Sequence, residues 1–121
     1  MSAKGRHITL DYTGFSGGGE WVLTVLRAAV SRSNAREVHA HVSEFDGIKS
    51  PLGFAAVVLI DESHVSAHCY AEEGILAVDC FTCGGIDPTG IADDIHKQLS
   101  EAIPTINLIQ RTELDRFIME E

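Results

Sequence analysis

Asp61-Glu-Ser-His-Val-Ser-Ala-His-Cys-Tyr70-Ala-Glu-Glu-Gly-Ile75-Leu-Ala-Val-Asp-Cys80-Phe-Thr-Cys-Gly84 is the stretch that organises this chain of 121 residues. Residues 64–70 and 75–81 are rich in strand-forming side chains, and a four-residue turn sequence ending in glycine separates them. Two strands joined by so short a turn form an antiparallel hairpin. The stretch also concentrates serine, histidine, cysteine and carboxylate side chains, so the hairpin is predicted to carry the chemistry of the protein.

Strand geometry sorts the residues of the first hairpin strand between two faces, because successive side chains point in opposite directions. One face receives the small apolar set Val65, Ala67 and Cys69. This set is predicted to lie in the core, which makes Cys69 a buried, inert thiol. The other face receives a polar row: His64, Ser66, His68 and Tyr70. Burying such groups unpaired costs ~1–3 kcal/mol each, so the row is expected to face water or to have a function.

Hydrophobic patterns predict the elements that precede the hairpin. Residues 6–12 and 37–45 alternate between apolar and polar side chains and are predicted strands. Residues 54–60 are continuously apolar, which indicates a strand buried on both faces or central in a sheet. Residues 20–31 are a predicted helix. Its apolar stripe is predicted to contain Trp21, Val25 and Ala28 or Ala29.

A second helix is predicted after the hairpin. Asp87 can cap it with Pro88 at its first position, and Pro104 ends it. Its apolar stripe is predicted to be Ile91, Ile95, Leu99 and Ala102. Ile106, Leu108 and Ile109 then indicate a last strand. The charged tail 113–121 is predicted to be a short helix or a frayed end.

This element order predicts an α+β fold in which residues 1–121 form a single domain. Hairpin-linked strands make the sheet mainly antiparallel, and both helices are expected on one face, as a two-layer sandwich. The uncovered sheet face would then require a partner. We therefore predict a homodimer in which two sheets meet to give four layers, α/β/β/α.

Composition and charge restrict the partners and the compartment. The formal net charge of −9 argues against nucleic acid or an anionic membrane as a partner, because both would repel the chain. No segment reaches the ~18 consecutive apolar residues of a membrane span, and the start of the chain has no apolar signal region. A cytoplasmic protein is therefore expected. Three cysteines, an odd number, fit reduced thiols there better than a disulfide framework.

Two kinds of cysteine site compete with a catalytic serine in the hairpin. A metal site could be assembled from His64, His68, Cys69, Cys80 and Cys83. Against a metal, the chain has only one Cys-x-x-Cys pair, and Cys69 points away from His68. A redox Cys-x-x-Cys normally opens a helix, whereas Cys80 to Cys83 ends a strand. We therefore predict that no metal is bound.

Several linked motifs carry a family resemblance. They are Glu62-Ser63-His64, the run from His68 to Glu72, Asp79-Cys-Phe-Thr-Cys83-Gly84 and the opening Gly5-Arg6-His7. On these motifs the chain resembles the S-adenosylmethionine decarboxylase proenzymes of the short prokaryotic class. The resemblance implies a proenzyme that cuts itself between Glu62 and Ser63, giving a β chain of residues 1–62 and an α chain of residues 63–121. It also implies that Ser63 becomes a pyruvoyl group.

The resemblance further implies a role for each matched residue. The pyruvoyl carbonyl would form a Schiff base with S-adenosylmethionine and act as the electron sink for decarboxylation in polyamine (spermidine) biosynthesis. His68 would shuttle protons during self-cleavage, and Cys83 would return a proton to the substrate carbon. Glu72 matches the position that holds the ribose hydroxyls. Tyr70 and Ser66 are expected to bind substrate beside it.

The chain departs from the family pattern at three positions. The family usually has a hydroxyl residue at position 55, where it assists self-cleavage, and this chain has Ala55. Tyr70 and Ala71 stand where the family commonly has tryptophan and proline. These changes leave two alternatives open. One is a pyruvoyl-dependent decarboxylase of arginine or ornithine on the same fold, and the other is a catalytically inactive regulatory paralogue.

Overall fold

Six strands and two helices make up residues 2–120, the part of the chain that this computed structural model describes. The strands are β1 (Ser2–Thr13), β2 (Glu37–Phe45), β3 (Gly53–Ile60), β4 (Ser63–Tyr70), β5 (Ile75–Cys83) and β6 (Asn107–Met119). The helices are α1 (Gly19–Ser31) and α2 (Pro88–Ala102). Every pairing is antiparallel, in the order β2-β3-β4-β5-β1-β6. The predicted α+β class and the central hairpin, β4 with β5, are confirmed.

The core lies between the helices and one face of the sheet, which we call the covered face. Val58, Val65, Cys80 and Ile8 are neighbours across this face, and none of them is exposed to solvent. The two helices contact each other, with α1 packed over β2 and β3 and α2 packed over β1 and β5. The prediction that both helices lie on one face is confirmed.

The buried stripe of α1 agrees with the predicted one at Val25 and Ala29 and differs from it at Trp21. Trp21 is 36% exposed and Ala28 is only partly buried, because the helix turns a neighbouring set of residues toward the sheet. The buried residues of α1 are Gly19, Val22, Val25, Leu26, Ala29 and Val30. Several apolar residues in a row allow more than one helical stripe, and packing against the sheet decides between them.

The predicted start of α2 is confirmed, whereas its last apolar position was wrong. The Asp87 carboxylate accepts a hydrogen bond from the Thr89 backbone N–H at 2.9 Å, with Pro88 at the first position. The stripe Ile91, Ile95 and Leu99 is buried. Ala102 is exposed, and Ile103 is buried instead at the point where the backbone leaves the helix.

Residues 113–119 of the charged tail belong to a strand, so the prediction of a short helix or frayed end was wrong for them, and Glu121 lies outside the described residues. β6 continues to Met119, which pairs with Ser2 of β1. Exposed ion pairs from Arg111 to Asp93 at 2.8 Å and from Arg6 to Glu113 at 3.0 Å link the strand to α2 and β1. β6 lies at the sheet edge and is exposed on both sides, so it lacks the apolar alternation that identifies a strand in a sequence.

The opposite face of the sheet, which we call the open face, is not covered by either helix. One row across it reads His39, Leu59, His64, Phe81, His7 and Leu114. Leu59 is 42% exposed and Leu114 is 50% exposed, so apolar side chains lie among the polar ones. No helix among residues 2–120 has the length and hydropathy needed to cross a membrane.

Candidate active site

The predicted cleavage position lies at a tight turn between two strands. Ile60 and Ser63 are register partners at the ends of β3 and β4, so residues 61–62 alone form the turn. Ser63 is the first residue of β4 and is 7% exposed, on the side of the covered face. Glu62 is exposed. The peptide bond between Glu62 and Ser63 therefore joins an exposed turn to a buried strand.

The backbone of this turn is left-handed at its first residue. Asp61 has φ 51°, and among residues 2–120 the only other non-glycine residue with positive φ is Phe117. In a two-residue hairpin, positive φ at the first position is taken mostly by glycine, asparagine or aspartate, so Asp61 is suited to it. The conformation is still less favourable for aspartate than for glycine, so contacts around Asp61 help to maintain the turn.

A cleft of about 580 Å³ lies directly beside the turn. Its lining comprises Ala3, Lys4, Glu62, Cys83, Gly84 and Phe117. We refer to the region containing Ser63, Glu62 and Cys83 as the Ser63 end of the sheet. Cys83 closes β5 on the open face, two residues beyond Phe81. The structure thus brings together the predicted cleavage site and the predicted proton donor.

Phe117 also lines this cleft, and the sequence did not predict this role. Its positive φ of 54° places the ring across Gly5. The centroids of the Phe117 and Phe81 rings are 5.9 Å apart. A side chain at Gly5 would meet the Phe81 and Phe117 rings at 3.2 and 3.3 Å, so the rings would have to move by a few tenths of an ångström to admit it. Left-handed backbone at a bulky residue is rare and tends to occur at functional sites. The only signal in the sequence was an aromatic residue within a charged tail.

Two of the remaining predicted residues, His68 and Tyr70, line a second, larger cleft of about 640 Å³. Ala55 also lines it, and we refer to this region as the His68 end of the sheet. His68 lies between Ala55 and Ala77 in the sheet, and these two small neighbours leave its imidazole exposed. Glu72 is exposed in the turn that follows β4.

The Ser63 and His68 ends are too far apart to act together within one chain. His68 follows Ser63 by five residues on the same strand, β4. At ~3.3 Å per residue this places the two residues ~16 Å apart. A serine and a proton shuttle have to be within ~3 Å of each other, or be linked by one water. One chain alone therefore does not assemble the predicted catalytic set.

A polar network occupies the middle of the open face. His7 Nε2 lies 2.9 Å from Asp79 Oδ1, and Arg116 donates to His7 Nδ1 at 3.2 Å. Because Nδ1 accepts, the hydrogen on Nε2 is directed to the Asp79 carboxylate. Ser66 is the register partner of Asp79 and is 8% exposed. Ser66 therefore lies between the two ends and lines neither cleft.

His64 adjoins this network and has a perturbed acidity. Its ring packs edge-on against His7, with centroids 6.3 Å apart, and lies 5.5 Å from Phe81. Burial, and secondly the proximity of His7, lower the pKa of His64 below its ordinary value. The neutral imidazole is therefore favoured in the folded chain.

This shift predicts a pH-dependent stability. A lowered folded-state pKa means that the unfolded chain takes up the His64 proton more readily, so the free energy of unfolding falls as pH drops below ~6.5. We expect His64→Gln to lose less stability than wild type between pH 7 and pH 5 in urea unfolding at matched protein concentration. His39→Gln, which removes an exposed histidine from the same face, is the control. Equal pH slopes for wild type and His64→Gln would contradict the prediction.

The cysteines do not form the metal or redox sites considered from the sequence. Cys69 and Cys80 are buried on the covered face, and Cys83 belongs to the open face. Burial raises the pKa of Cys69, and burial followed by the nearby Asp79 carboxylate raises the pKa of Cys80 to about 12. Both thiols are therefore held protonated. Within residues 2–120, no three His, Cys, Asp or Glu side chains converge in a way that could hold a metal ion.

Comparisons with known proteins show which family this chain resembles. Residues 6–112 match the sequence profile described as S-adenosylmethionine decarboxylase. The S-adenosylmethionine decarboxylase proenzyme of Symbiobacterium thermophilum is 31% identical over 115 residues, which are 91% of this chain and 84% of that protein. The proenzyme of Pyrococcus horikoshii is 28% identical over 116 residues, which are 92% of this chain and 81% of that protein.

A solved structure extends the likeness to the fold. The crystal structure of the adenosylmethionine decarboxylase from Aquifex aeolicus matches with a TM-score of 0.78 and 29% sequence identity. The match covers 100% of this chain and 97% of that chain. The resemblance inferred from the Glu62-Ser63-His64 motif is thereby confirmed, and the chain belongs to the S-adenosylmethionine decarboxylase family.

Proposed function

We propose that this chain is a self-processing, pyruvoyl-dependent decarboxylase of S-adenosylmethionine that serves polyamine biosynthesis. The observation that carries the proposal is the position of Ser63, the first residue of a buried strand, directly after a two-residue turn. A cut between Glu62 and Ser63 would leave Ser63 as a new strand end that β4 still holds. The products would be residues 1–62 and residues 63–121.

Self-cleavage follows from the chemistry of a serine beside its own peptide bond. The Ser63 hydroxyl attacks the Glu62 carbonyl carbon, the C–N bond breaks, and the hydroxyl proton passes to the nitrogen, which turns the amide into an ester. Elimination then releases the Glu62 carboxylate and leaves dehydroalanine at residue 63. Hydrolysis of dehydroalanine gives ammonia and a pyruvoyl group.

The residues around Ser63 fit such a group. Cys83 and Glu62 share the cleft beside the turn, so a thiol is available at the same end of the sheet. A pyruvoyl group supplies a carbonyl that takes up electrons while carbon dioxide leaves an amino acid. Cys83 is proposed to deliver the proton that replaces the carboxyl group on the substrate carbon. The Phe117 ring narrows the same cleft and limits the entry of water.

The His68 end is proposed to reach the Ser63 end of a second copy. In the proposed dimer, the open faces of two sheets stack about 10 Å apart. The two-fold axis lies between the sheets and runs perpendicular to the strands, so each strand end of one chain faces the opposite strand end of the other chain. His68 and Tyr70 of one chain then lie over the end of the other sheet that carries Cys83 and the Glu62–Ser63 peptide bond. The exposed Leu59 and Leu114 would be covered in the same contact. The proposed homodimer would thus have the layers α/β/β/α and two composite sites.

Each end makes a separate contribution to these sites. His68 is proposed to move protons at the partner's cleavage bond, since two alanine neighbours leave its imidazole free. Tyr70, which is 52% exposed, provides a flat apolar surface for substrate in the larger cleft. Glu72 is proposed to accept hydrogen bonds from the ribose hydroxyls. Ser66 lies near the axis, so contact with the second copy suits it better than the predicted contact with substrate.

Mass spectrometry and carbon dioxide release test the proposed function. Purified wild-type protein is expected to consist of two fragments, the larger ending at Glu62, and to release carbon dioxide from S-adenosylmethionine. The relatives reported above are named for that substrate, which supports it over arginine and ornithine. Turnover of arginine or ornithine alone would overturn the substrate assignment. An uncut chain would support the inactive paralogue that Ala55 suggests.

Cys83→Ala is expected to separate cleavage from turnover. Since Cys83 is proposed to act only after the pyruvoyl group has formed, the variant should be cut like wild type. Its carbon dioxide release should fall by ~100-fold or more, the usual contribution of a general acid. Cys69→Ala, which removes a buried thiol from the opposite face, is the control for loss of a sulfur atom. Unchanged turnover in Cys83→Ala would remove Cys83 from the mechanism.

A further inference from the structure

The turn that presents the Glu62–Ser63 bond is tied to the start of β2 by one arginine. Arg36 donates from Nε at 3.0 Å and from Nη2 at 2.8 Å, and both bonds go to Oδ1 of Asp61. The contact follows from the sheet register, because Glu37, the next residue, pairs with Ile60. The connection between α1 and β2 therefore reaches the turn from the side.

The ion pair acts on the turn residue that has the left-handed backbone. Asp61 has φ 51°, and it carries the carboxylate that Arg36 binds. Two hydrogen bonds from one planar guanidinium restrict the direction of the Asp61 side chain, and this in turn restricts the backbone that bears it. The peptide plane that follows Asp61 leads directly into Glu62 and the bond to be cut.

Cleavage depends on that backbone geometry. The Ser63 oxygen has to approach the Glu62 carbonyl carbon while the hydroxyl proton moves to the peptide nitrogen, and the reacting atoms have to start ~3–3.5 Å apart. A turn that samples several conformations spends less time in the one that permits attack. A contact that holds the turn therefore speeds the reaction without touching the reacting atoms.

We propose that Arg36 is a positioning residue for self-cleavage, acting through its ion pair with Asp61. The inference rests on the proposed function, because it concerns the rate of the same N-to-O acyl shift. Both partners are exposed, so the pair contributes little to the stability of the folded chain. Its effect is expected on the rate of maturation.

The rate can be followed after a short pulse of labelled methionine during cell-free synthesis. Met119 marks the 63–121 fragment, so loss of full-length chain and gain of this fragment are seen on one gel. We expect Arg36→Ala and Asp61→Asn each to slow cleavage by about fivefold, the most that an exposed ion pair supplies. Arg36→Lys should recover part of the rate. The double variant should be no slower than either single variant, because both remove the same contact.

Arg27→Ala is the matched control. Arg27 forms an exposed ion pair at 2.9 Å with Glu37, the residue that follows Arg36, and neither partner belongs to the turn. Its loss is expected to leave the cleavage rate unchanged. If Arg27→Ala slowed cleavage as much as Arg36→Ala, the proposal would be overturned, because the effect would then not be specific to the contact with Asp61. Cleavage of Arg36→Ala at the wild-type rate would also overturn it.

Treatment with hydroxylamine measures the acyl shift itself, separately from the stability of the fold. It cleaves esters and spares amides, so it reports how much of the uncut chain has completed the acyl shift. In Arg36→Ala with an unchanged melting temperature, we expect fewer hydroxylamine-cleavable chains than in wild type at the same time. An equal ester fraction would place the effect after the shift and contradict the proposal. Absence of any cleavage in wild type would refute the proposed function, whereas normal cleavage in Arg36→Ala would refute only the role of Arg36.

Discussion

Ser63→Ala is expected to yield a single uncut chain without measurable decarboxylation of S-adenosylmethionine. Alanine has no hydroxyl to attack the Glu62 carbonyl, so neither the ester nor the pyruvoyl group can form. The fold should persist, because Ser63 is buried and alanine fits the same space. Intact-mass measurement and carbon dioxide release, made on the same preparation, check both parts of the expectation.

A serine variant elsewhere controls for the loss of a hydroxyl. Ser100 lies on the exposed side of α2, and Ser100→Ala removes the same atom far from the turn. This variant should be cut and active like wild type. Decarboxylation by an uncut Ser63→Ala chain would refute the pyruvoyl mechanism, because no other residue is proposed to supply the carbonyl.

The fold was largely predictable because its central strands obey simple periodicities. Alternation along β4 assigned Val65 and Cys69 to the core and His64 and His68 to the other face, and the structure confirms this. β6 was wrongly predicted because an edge strand exposed on both sides carries no alternation. In α1, adjacent apolar residues allow more than one face of the helix to be buried, and packing decides between them. For that reason Trp21 was wrongly predicted to lie in the buried stripe.

The candidate site was only partly predictable, because sequence spacing assigns faces and not distances between elements. The motifs identified Ser63, Cys83 and His68, yet strand geometry places Ser63 and His68 at opposite ends of one sheet. The Asp61–Arg36 contact joins residues 25 positions apart. Phe117 reaches the cleft only through its positive φ. Contacts of these kinds depend on register and backbone conformation, which a single sequence does not specify.

The separation of the two ends leads to a second prediction with a large effect, made on mixed dimers. Ser63→Ala and His68→Ala chains are each expected to be inactive alone. If each site combines the Ser63 end of one chain with the His68 end of the other, a mixed dimer contains one intact site. The His68→Ala chain supplies Ser63 and Cys83 to that site, and the Ser63→Ala chain supplies His68. At equal amounts with random pairing, about one quarter of the wild-type sites should be restored.

Two differently tagged chains, coexpressed and purified through both tags in sequence, make this measurable. Within such mixed dimers only the His68→Ala chain should be cut, and carbon dioxide release should reappear. The matched control mixes Ser63→Ala with Cys83→Ala. Ser63 and Cys83 lie at the same end of one chain, so neither site of that dimer holds both residues, and normal turnover should not return. Failure of the first mixture to recover activity would show that His68 does not serve the Ser63 of a second copy. The ~16 Å along β4 would then have to be closed by a rearrangement within one chain.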